Sequence, residues 1–487
     1  MENLDAGQQD FVHERTNLFN APREQATSSR IGRRRSGTVR PIATDLLLRL
    51  PIELCIQIFE LCVAADAEQL YNFFFDDTTK APWNLSQVCS RWRAMVHESP
   101  NLWTVVRVST DLLEDAAQPI EDAVEHLSIY LERSRQLPIS LLVLSENHCQ
   151  QSIMQLVIGC CTRWRDAFFF MDPTYLHHLG PIRGRLPRLR SLHFIPTRVS
   201  DAGAMRGIFE VAPNLEALTL QGPALDLSFS LPWAQIRLFE ATYVEPADIL
   251  NVVPTMPRML RMRLGREPPE RAPVDTADWA VTHRRVEAVR LGTVDGHAAG
   301  HPGDLIDHLV LPAMVDLDVT CDAEDSMDSI GDLLRRSACH IRTLALDIRF
   351  GHSPKLLALF RNVPQFARLS RLTLRDGDPV HDSPLLAAIR AGGEGQVILP
   401  QLQDLEVVMD TDKPGRAVKL WLDVLETRVD PVQPTDEDAP LIQDIRRIAF
   451  GCKCARGVLD DPACLDRFHR LVVSGVQMEF RYGPGVV

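Results

Sequence analysis

The hydrophobic pattern of this chain changes character twice. Residues 1 to about 43 carry no sustained apolar period, and this polar stretch ends near "ATSSRIGRRRSGTVRP". Such a composition predicts a disordered head over 1–43. From Ile52, apolar residues fall at Leu54, Ile58 and Leu61, with Cys55, Phe59 and Cys62 beside them. That period, near 3.6 residues, predicts a helix. Thr44 or Asp45 is placed to cap a first turn, and Pro51 stands where the first helical residue tolerates proline. A polar insertion follows, roughly Ala64 to Pro82, interrupted by Phe73, Phe74 and Phe75. A second helix is predicted from about Leu85 to Glu98, with Leu85, Val88, Cys89, Trp92 and Val96 on one face. Pro100 ends it, because proline disfavours helix in the residue before it, and Leu102 and Trp103 begin the exit.

After about residue 135 a different unit repeats. An apolar residue, two variable residues, an apolar residue, one variable residue and an apolar residue recur in that order. The clear copies are Leu189/Leu192/Phe194, Leu215/Leu218/Leu220, Met259/Met262/Leu264, Val286/Val289/Leu291 and Met314/Leu317/Val319. Ile341/Leu344/Leu346, Leu369/Leu372/Leu374 and Leu402/Leu405/Val407 continue the series. Weaker copies stand at Ile139/Leu142/Leu144, Trp164/Ala167/Phe169, Ile236/Phe239/Ala241 and Ile445/Ile448/Phe450. Most starts lie about 21 to 28 residues apart. Proline stands two residues before the first apolar position at Pro187, Pro213, Pro257, Pro312 and Pro400, where it stops a preceding helix. Helices are predicted between strands, from Ser200, Pro302, Glu324 and Ala417. Strands alternating with helices favour parallel pairing, since a parallel crossover needs about a dozen residues.

This period and spacing resemble leucine-rich repeats, whose stacked units bury a continuous core between a strand layer and a helix layer. The Asn or Cys usual three residues after the last strand position is absent, with Thr197, Pro223, Asp322 and Arg349 in its place. The loop hydrogen bonds that Asn supplies must then come from elsewhere. The expected fold class is α/β. An N-terminal helical domain over 44–108 precedes an irregular, leucine-rich-repeat-like α/β solenoid with a parallel strand layer over 109–487.

Residues 50–103 resemble an F-box. Leu50, Pro51, Glu53 and Leu54 match its first motif; Val88, Cys89 and Trp92 match its second; Leu102 and Trp103 match its exit. The long insertion between Cys62 and Trp83 departs from the family pattern. A polar head, an F-box and degenerate leucine-rich repeats together resemble the large F-box families of mushroom-forming fungi. That resemblance implies a Skp-type adaptor as partner and, through it, a cullin. It carries over Leu50, Pro51, Ile52, Leu54, Ile58, Leu85, Val88, Cys89 and Trp92 as adaptor contacts, although each position is also able to serve as internal core. Trp103 is expected to lock the F-box onto the first repeat.

Charge and chemistry add exclusions. The formal net charge is −13, which argues against a general nucleic-acid binder. No run of 18 or more apolar residues predicts a membrane span, and the N-terminus lacks a signal-peptide core. The 11 cysteines have no framework spacing, which favours reduced thiols and a cytoplasmic or nuclear location. Arg33, Arg34 and Arg35 suit a solvated linker, a nuclear-import signal or a phosphorylation context for Ser36. No phosphate loop, dinucleotide-binding glycine pattern, nucleophile elbow or zinc-protease motif occurs, so no enzyme and no cofactor is expected. Cys452, Cys454, Cys464 and His469 match no common zinc spacing. His177 and His178 are expected on different faces, and "RDGDPVHD" from Arg375 lacks a calcium-loop spacing.

The expected function is the substrate receptor of an SCF-type ubiquitin ligase, binding an unidentified protein along the strand side of the repeats. The alternative is a non-catalytic repeat scaffold whose N-terminal segment is only a cap.

Overall fold

A computed structural model describes residues 50–68, 75, 77–111, 120–197, 207–222, 230–244, 246–265, 280–292, 303–320, 326–347, 353–375, 386, 389–390, 398–409, 414–429, 443–452 and 462–482. The polar head, Thr44, Asp45, Phe73, Phe74, Ser200, Pro223, Pro302, Asp322, Glu324, Arg349, Cys454 and the stretch after Arg375 lie outside them. The chain divides into two compact units. One takes in Met1–Val108 and Pro119–Leu137, the other Ser109–Gln118 and Pro138–Val487.

The first unit contains α1 (Ile52–Glu68), α2 (Trp83–Val88), α3 (Ser90–Glu98) and α4 (Ile120–Arg133), and strand β1 (Val105–Ser109) lies between α3 and α4 in the chain. The carbonyl of Pro51 accepts the Cys55 N–H at 3.2 Å, so Pro51 precedes α1 rather than beginning it. The single second helix expected over 85–98 is broken in two at Cys89, whose backbone is extended. Its sulfur accepts the Trp92 N–H at 3.5 Å and caps α3. The break separates Val88, which is exposed, from Val96, which is buried. Part of the insertion is core: Phe75 is buried, and its carbonyl accepts the Trp83 indole N–H at 2.7 Å.

Trp103 is fully buried, and its described partners all belong to the first unit. Its Nε1 donates to the Val96 carbonyl at 2.9 Å. Its ring meets those of Trp83 and Tyr130 edge-on, each at 5.0 Å, and the Arg133 guanidinium carbon lies 4.5 Å from it. So Trp103 ties α2 and α3 to α4 within the first unit. Helix α4, read from the sequence as part of the repeat region, supplies two of those partners.

In the second unit the strands β2 (Ile139–Ser145), β3 (Trp164–Met171), β4 (Ser191–Pro196), β5 (Ala217–Gln221), β6 (Leu238–Thr242) and β7 (Arg261–Leu264) pair in chain order. β9 (Ala288–Leu291), β11 (Asp316–Thr320), β12 (Thr343–Asp347), β13 (Arg371–Arg375), β14 (Asp404–Met409), β15 (Arg447–Cys452) and β16 (Gln477–Tyr482) continue the sheet. Every one of these pairings is parallel. Connections contain α5 (Gln151–Gly159), α6 (Pro246–Val252), α7 (Gly303–Ile306), α8 (Ser326–Ser337), α9 (Ser353–Asn362), α10 (Pro414–Leu425) and α11 (Pro462–Val473). The helix expected from Pro302 stops at Ile306. Leu309–Val310 is instead a strand, β10, paired in parallel with β8 (Val281–Thr282). The described part of the segment expected as a helix from Ser200, 207–212, is a turn and a bend followed by irregular chain.

The last two apolar positions of each repeat stand side by side across the sheet. Leu218 faces Phe239, Met262 faces Val289, Leu317 faces Leu344, and Leu372 faces Leu405. All are buried. The copy at Ile139 departs from this register. A bulge after Ile139 sets Leu141 and Val143, rather than Leu142 and Leu144, opposite Ala167 and Phe169. One extra residue on β3 moves every following partner by one.

The repeated prolines have a definite place. Leu215 donates to Ala212, Met259 to Met256, Met314 to Leu311 and Leu402 to Leu399. In each, proline is the second residue of a four-residue turn, where its fixed φ is already suitable. These turns also show what stands in for the missing Asn. Asn214 donates to the Pro187 carbonyl at 2.6 Å and Gln235 to Ala212 at 2.5 Å. His283 Nε2 meets the Met256 carbonyl at 2.9 Å, and Arg428 donates to Leu399 at 3.1 Å. Each donor comes from one or two strands further along, so one job is shared among four residue types. Burial, opposed by the Asp444 charge, draws the Arg428 pKa down to about 10, which leaves it protonated at neutral pH.

Candidate functional site

Helix α1 carries two apolar stripes. Cys55, Phe59 and Val63 recur every four residues and are buried. Leu54, Ile58 and Leu61, one position round the helix, form a second stripe that is exposed by 43%, 37% and 70%. Ile52 and Val88 add exposed apolar surface at 45% and 60%. Two stripes arise because apolar residues occupy adjacent positions at each turn, so they span more than one packed face.

The nine residues singled out by motif fall into two groups. Pro51, Ile52, Leu54, Ile58 and Val88 are exposed. Leu50, Leu85, Cys89 and Trp92 are half-buried. Trp92 packs its ring 4.9 Å from that of Phe59, and Cys89 caps α3, so these two also hold the local fold. Arg93 Nε donates to the Ser86 carbonyl at 3.0 Å and ties α3 back to α2. The result is an apolar stripe on α1, Leu54, Ile58 and Leu61, left in solvent behind Pro51.

A second surface lies on the sheet face opposite the apolar ladder. It is built from the single variable residue between the last two apolar positions of each repeat, and from the strand positions flanking them. Toward its N-terminal side it is aromatic: the rings of Phe168 and His193 lie 4.3 Å apart. From β6 onward it is charged. Arg263 pairs with Glu240 at 3.4 Å, and Arg371 with Asp404 at 3.1 Å. Arg447 pairs with Glu479 at 2.6 Å.

Two of the charged bridges skip a strand. Arg375 on β13 reaches Asp318 on β11 at 2.7 Å, and Arg481 on β16 reaches Glu406 on β14 at 2.7 Å. The strands between carry Ala345 and Ala449 in those rows, both buried and too small to block the span. Asp318 also meets Arg290 at 3.5 Å. Burial, then the charge of Asp318, raises the Asp316 pKa, opposed by Arg371 and Arg261. Reading down the variable column of the repeat would have found much of this surface, since Glu240, Arg263, Arg290, Asp318, Glu406 and Glu479 all stand in it.

The remaining candidates gather no site among the described residues. Among the described residues no three His, Cys, Asp or Glu side chains cluster as metal ligands. Cys452 is on β15 and Cys464 is buried on α11. The rings of His177 and His178, expected to diverge, lie 4.0 Å apart in a 3-10 helix. Burial and then the neighbouring His177 lower the His178 pKa. Among the described residues no helix is long and apolar enough to cross a membrane. No protein-family model matches this sequence, and comparison with curated proteins finds no match.

Proposed function

We propose that the chain is the substrate-receptor subunit of an SCF-type ubiquitin ligase. The first unit docks on a Skp-type adaptor, and the charged sheet face of the second unit holds a target protein. The chain makes or breaks no bond itself. It raises the concentration of its target beside a charged conjugating enzyme, as linked binding modules do. One observation carries the proposal: the exposed stripe Leu54/Ile58/Leu61, with Ile52 and Val88, includes residues that the F-box resemblance assigns to the adaptor.

Calorimetry of the full chain with a purified Skp-type adaptor tests this. Micromolar or tighter binding is expected, weakened at least about tenfold (about 1.4 kcal/mol) by Leu50→Ala/Pro51→Ala and by Ile58→Asp. Ile58 is exposed, so its replacement is expected to leave unfolding unchanged within about 1 kcal/mol. A folded wild-type chain that fails to bind the adaptor overturns the proposal and leaves a repeat scaffold.

A further inference from the structure

Strands β4 to β13 of the second unit pair in parallel, so their N-terminal ends form one edge of the sheet. That edge carries two columns of the repeat. One is the residue before the first apolar position, and the other is the residue after it. Arg258, Arg285 and Arg368 stand in the first column, and Arg190, Arg237 and Arg342 in the second. All six are exposed. Over the same strands the acidic residues in these columns are Glu216 and Glu287 alone. This local excess of arginine stands on a chain whose formal net charge is −13.

Backbone hydrogen bonds hold the second column in line. The N–H of Glu216 donates to the Arg190 carbonyl at 2.9 Å, that of Arg237 to Glu216 at 2.8 Å, and that of Leu260 to Arg237 at 2.8 Å. Glu287, Val315, Arg342 and Ser370 continue the row in the same way. The backbone of the row thus bonds to itself, and a partner meets side chains. On the neighbouring sheet face, arginines are matched by carboxylates, as in Arg263 with Glu240, Arg375 with Asp318 and Arg447 with Glu479. On the edge, among the described residues, no hydrogen bond or ion pair engages any of the six side chains. A guanidinium presents five donors and takes a carboxylate through two parallel bonds.

Spacing and composition choose the occupant. At about 4.8 Å per strand, the row from Arg190 to Arg368 runs about 34 Å. About ten residues of extended chain cover that length. Neither column contains Phe, Tyr or Trp over these strands, so the bases of a nucleic acid find no stacking platform. Screening limits charge effects to about 8 Å at physiological salt. A short acidic segment on the edge therefore meets the arginines, whereas a long polyanion also extends over the acidic remainder of the molecule.

We infer that the N-terminal edge of the strands from β4 to β13 docks an extended acidic segment of a partner protein, whose carboxylates pair with these arginines. The edge is distinct from the exposed stripe of α1, so its binding is measured without the adaptor.

Fluorescence anisotropy of the full chain with labelled decaglutamate tests this, with circular dichroism confirming the fold of each variant. Wild type is expected to bind at about 50 µM or tighter in about 50 mM salt, and about tenfold more weakly in about 300 mM salt. Arg237→Glu is expected to weaken binding at least about fivefold, and Arg237→Glu/Arg258→Glu further. Glu216→Arg fills the gap between Arg190 and Arg237 and is expected to tighten binding about threefold. Lys419→Glu reverses a charge at an exposed position of α10, away from this edge, and is expected within about twofold of wild type. A wild type that fails to bind decaglutamate at the lower salt overturns the inference. So does a loss from Lys419→Glu as large as that from Arg237→Glu, or a ten-nucleotide oligothymidine bound as tightly as decaglutamate.

Discussion

In α1, Cys55, Phe59 and Val63 are buried while Leu54, Ile58 and Leu61 stand in solvent one position away. In β12, Leu344 and Leu346 are buried, and Ala345 between them lies in the row crossed by an ion pair. The two elements differ in what their geometry permits. A strand has two faces, and the alternating repeat gives the apolar role to one of them. A helix turns by about 100° per residue, so adjacent apolar residues create two separate stripes. A small unit with few helices can cover only one of those stripes. The comparison teaches that exposed apolar residues in the first unit follow from its sequence pattern, whereas in the second unit the alternating strands give the apolar residues to one buried face of the sheet.

The strongest way to break this comparison is to attack the covered side of the first unit. Trp103→Ala removes a fully buried indole, its bond to Val96 and its place beside Arg133. A loss of about 3–5 kcal/mol is expected. Hydrogen–deuterium exchange should then accelerate in α3 and α4, the helices that Trp103 joins. Exchange unchanged there would mean that the ring is not the keystone of that core.

A paired substitution sharpens the contrast. Leu344→Ala deletes a buried ladder residue held between Leu317 and Leu372, at an expected cost of about 2–5 kcal/mol. Leu54→Ala deletes the same side chain from the exposed stripe, at an expected cost under about 1 kcal/mol. Denaturant titrations of the two variants compare them directly. Equal losses would show that the outer stripe of α1 is covered in solution.

The repeated strands were legible because one pattern fixes both period and face: Leu372, Leu405 and Ile448 align as their spacing requires. The last strand carries no full copy of the repeat, because Gly475 stands where an apolar residue is expected and buried Val476 takes that place. The break at Cys89 was not legible, since the residues on either side keep a helical period and only the extended backbone at Cys89 separates them. The role of Trp103 was hidden for a different reason. Its partners Tyr130 and Arg133 lie beyond a boundary drawn at 108, and a contact at that separation has no local signature. The residues that the F-box resemblance proposes as adaptor contacts stand out by motif, but which stripe of α1 is exposed depends on the packing of Phe59 on Trp92.

The charged face offers a smaller test. Asp318→Asn removes the carboxylate charge that Arg290 and Arg375 share. The bridge is partly exposed and screened, so a loss of about 1 kcal/mol is expected. The same substitution removes one of the causes that raise the Asp316 pKa, which should then titrate lower. Carboxyl-selective NMR follows that group directly. An unmoved Asp316 would mean that burial alone governs it.

The smallest expected effect concerns acid at β16. Hydrogen bonds from Arg481 and then Arg447 hold the Glu479 pKa down to about 2 from an ordinary 4.5. A carboxyl with a depressed native pKa stabilises the fold above its unfolded value, and that contribution fades as pH falls toward the native value. The window therefore runs from about 4.5 down to about 2, and neutral pH lies above it. The group faces solvent, so added salt should shrink the effect. Amide exchange in β16, compared between wild type and Glu479→Gln, is expected to differ most near neutral pH and to converge as acid is added. Leu344 and its neighbours carry no ionisable group, so the core ladder should show no matching difference between the two proteins. A difference between the proteins that persists unchanged to the acid end of the window would remove Glu479 ionisation from the account of how β16 is held.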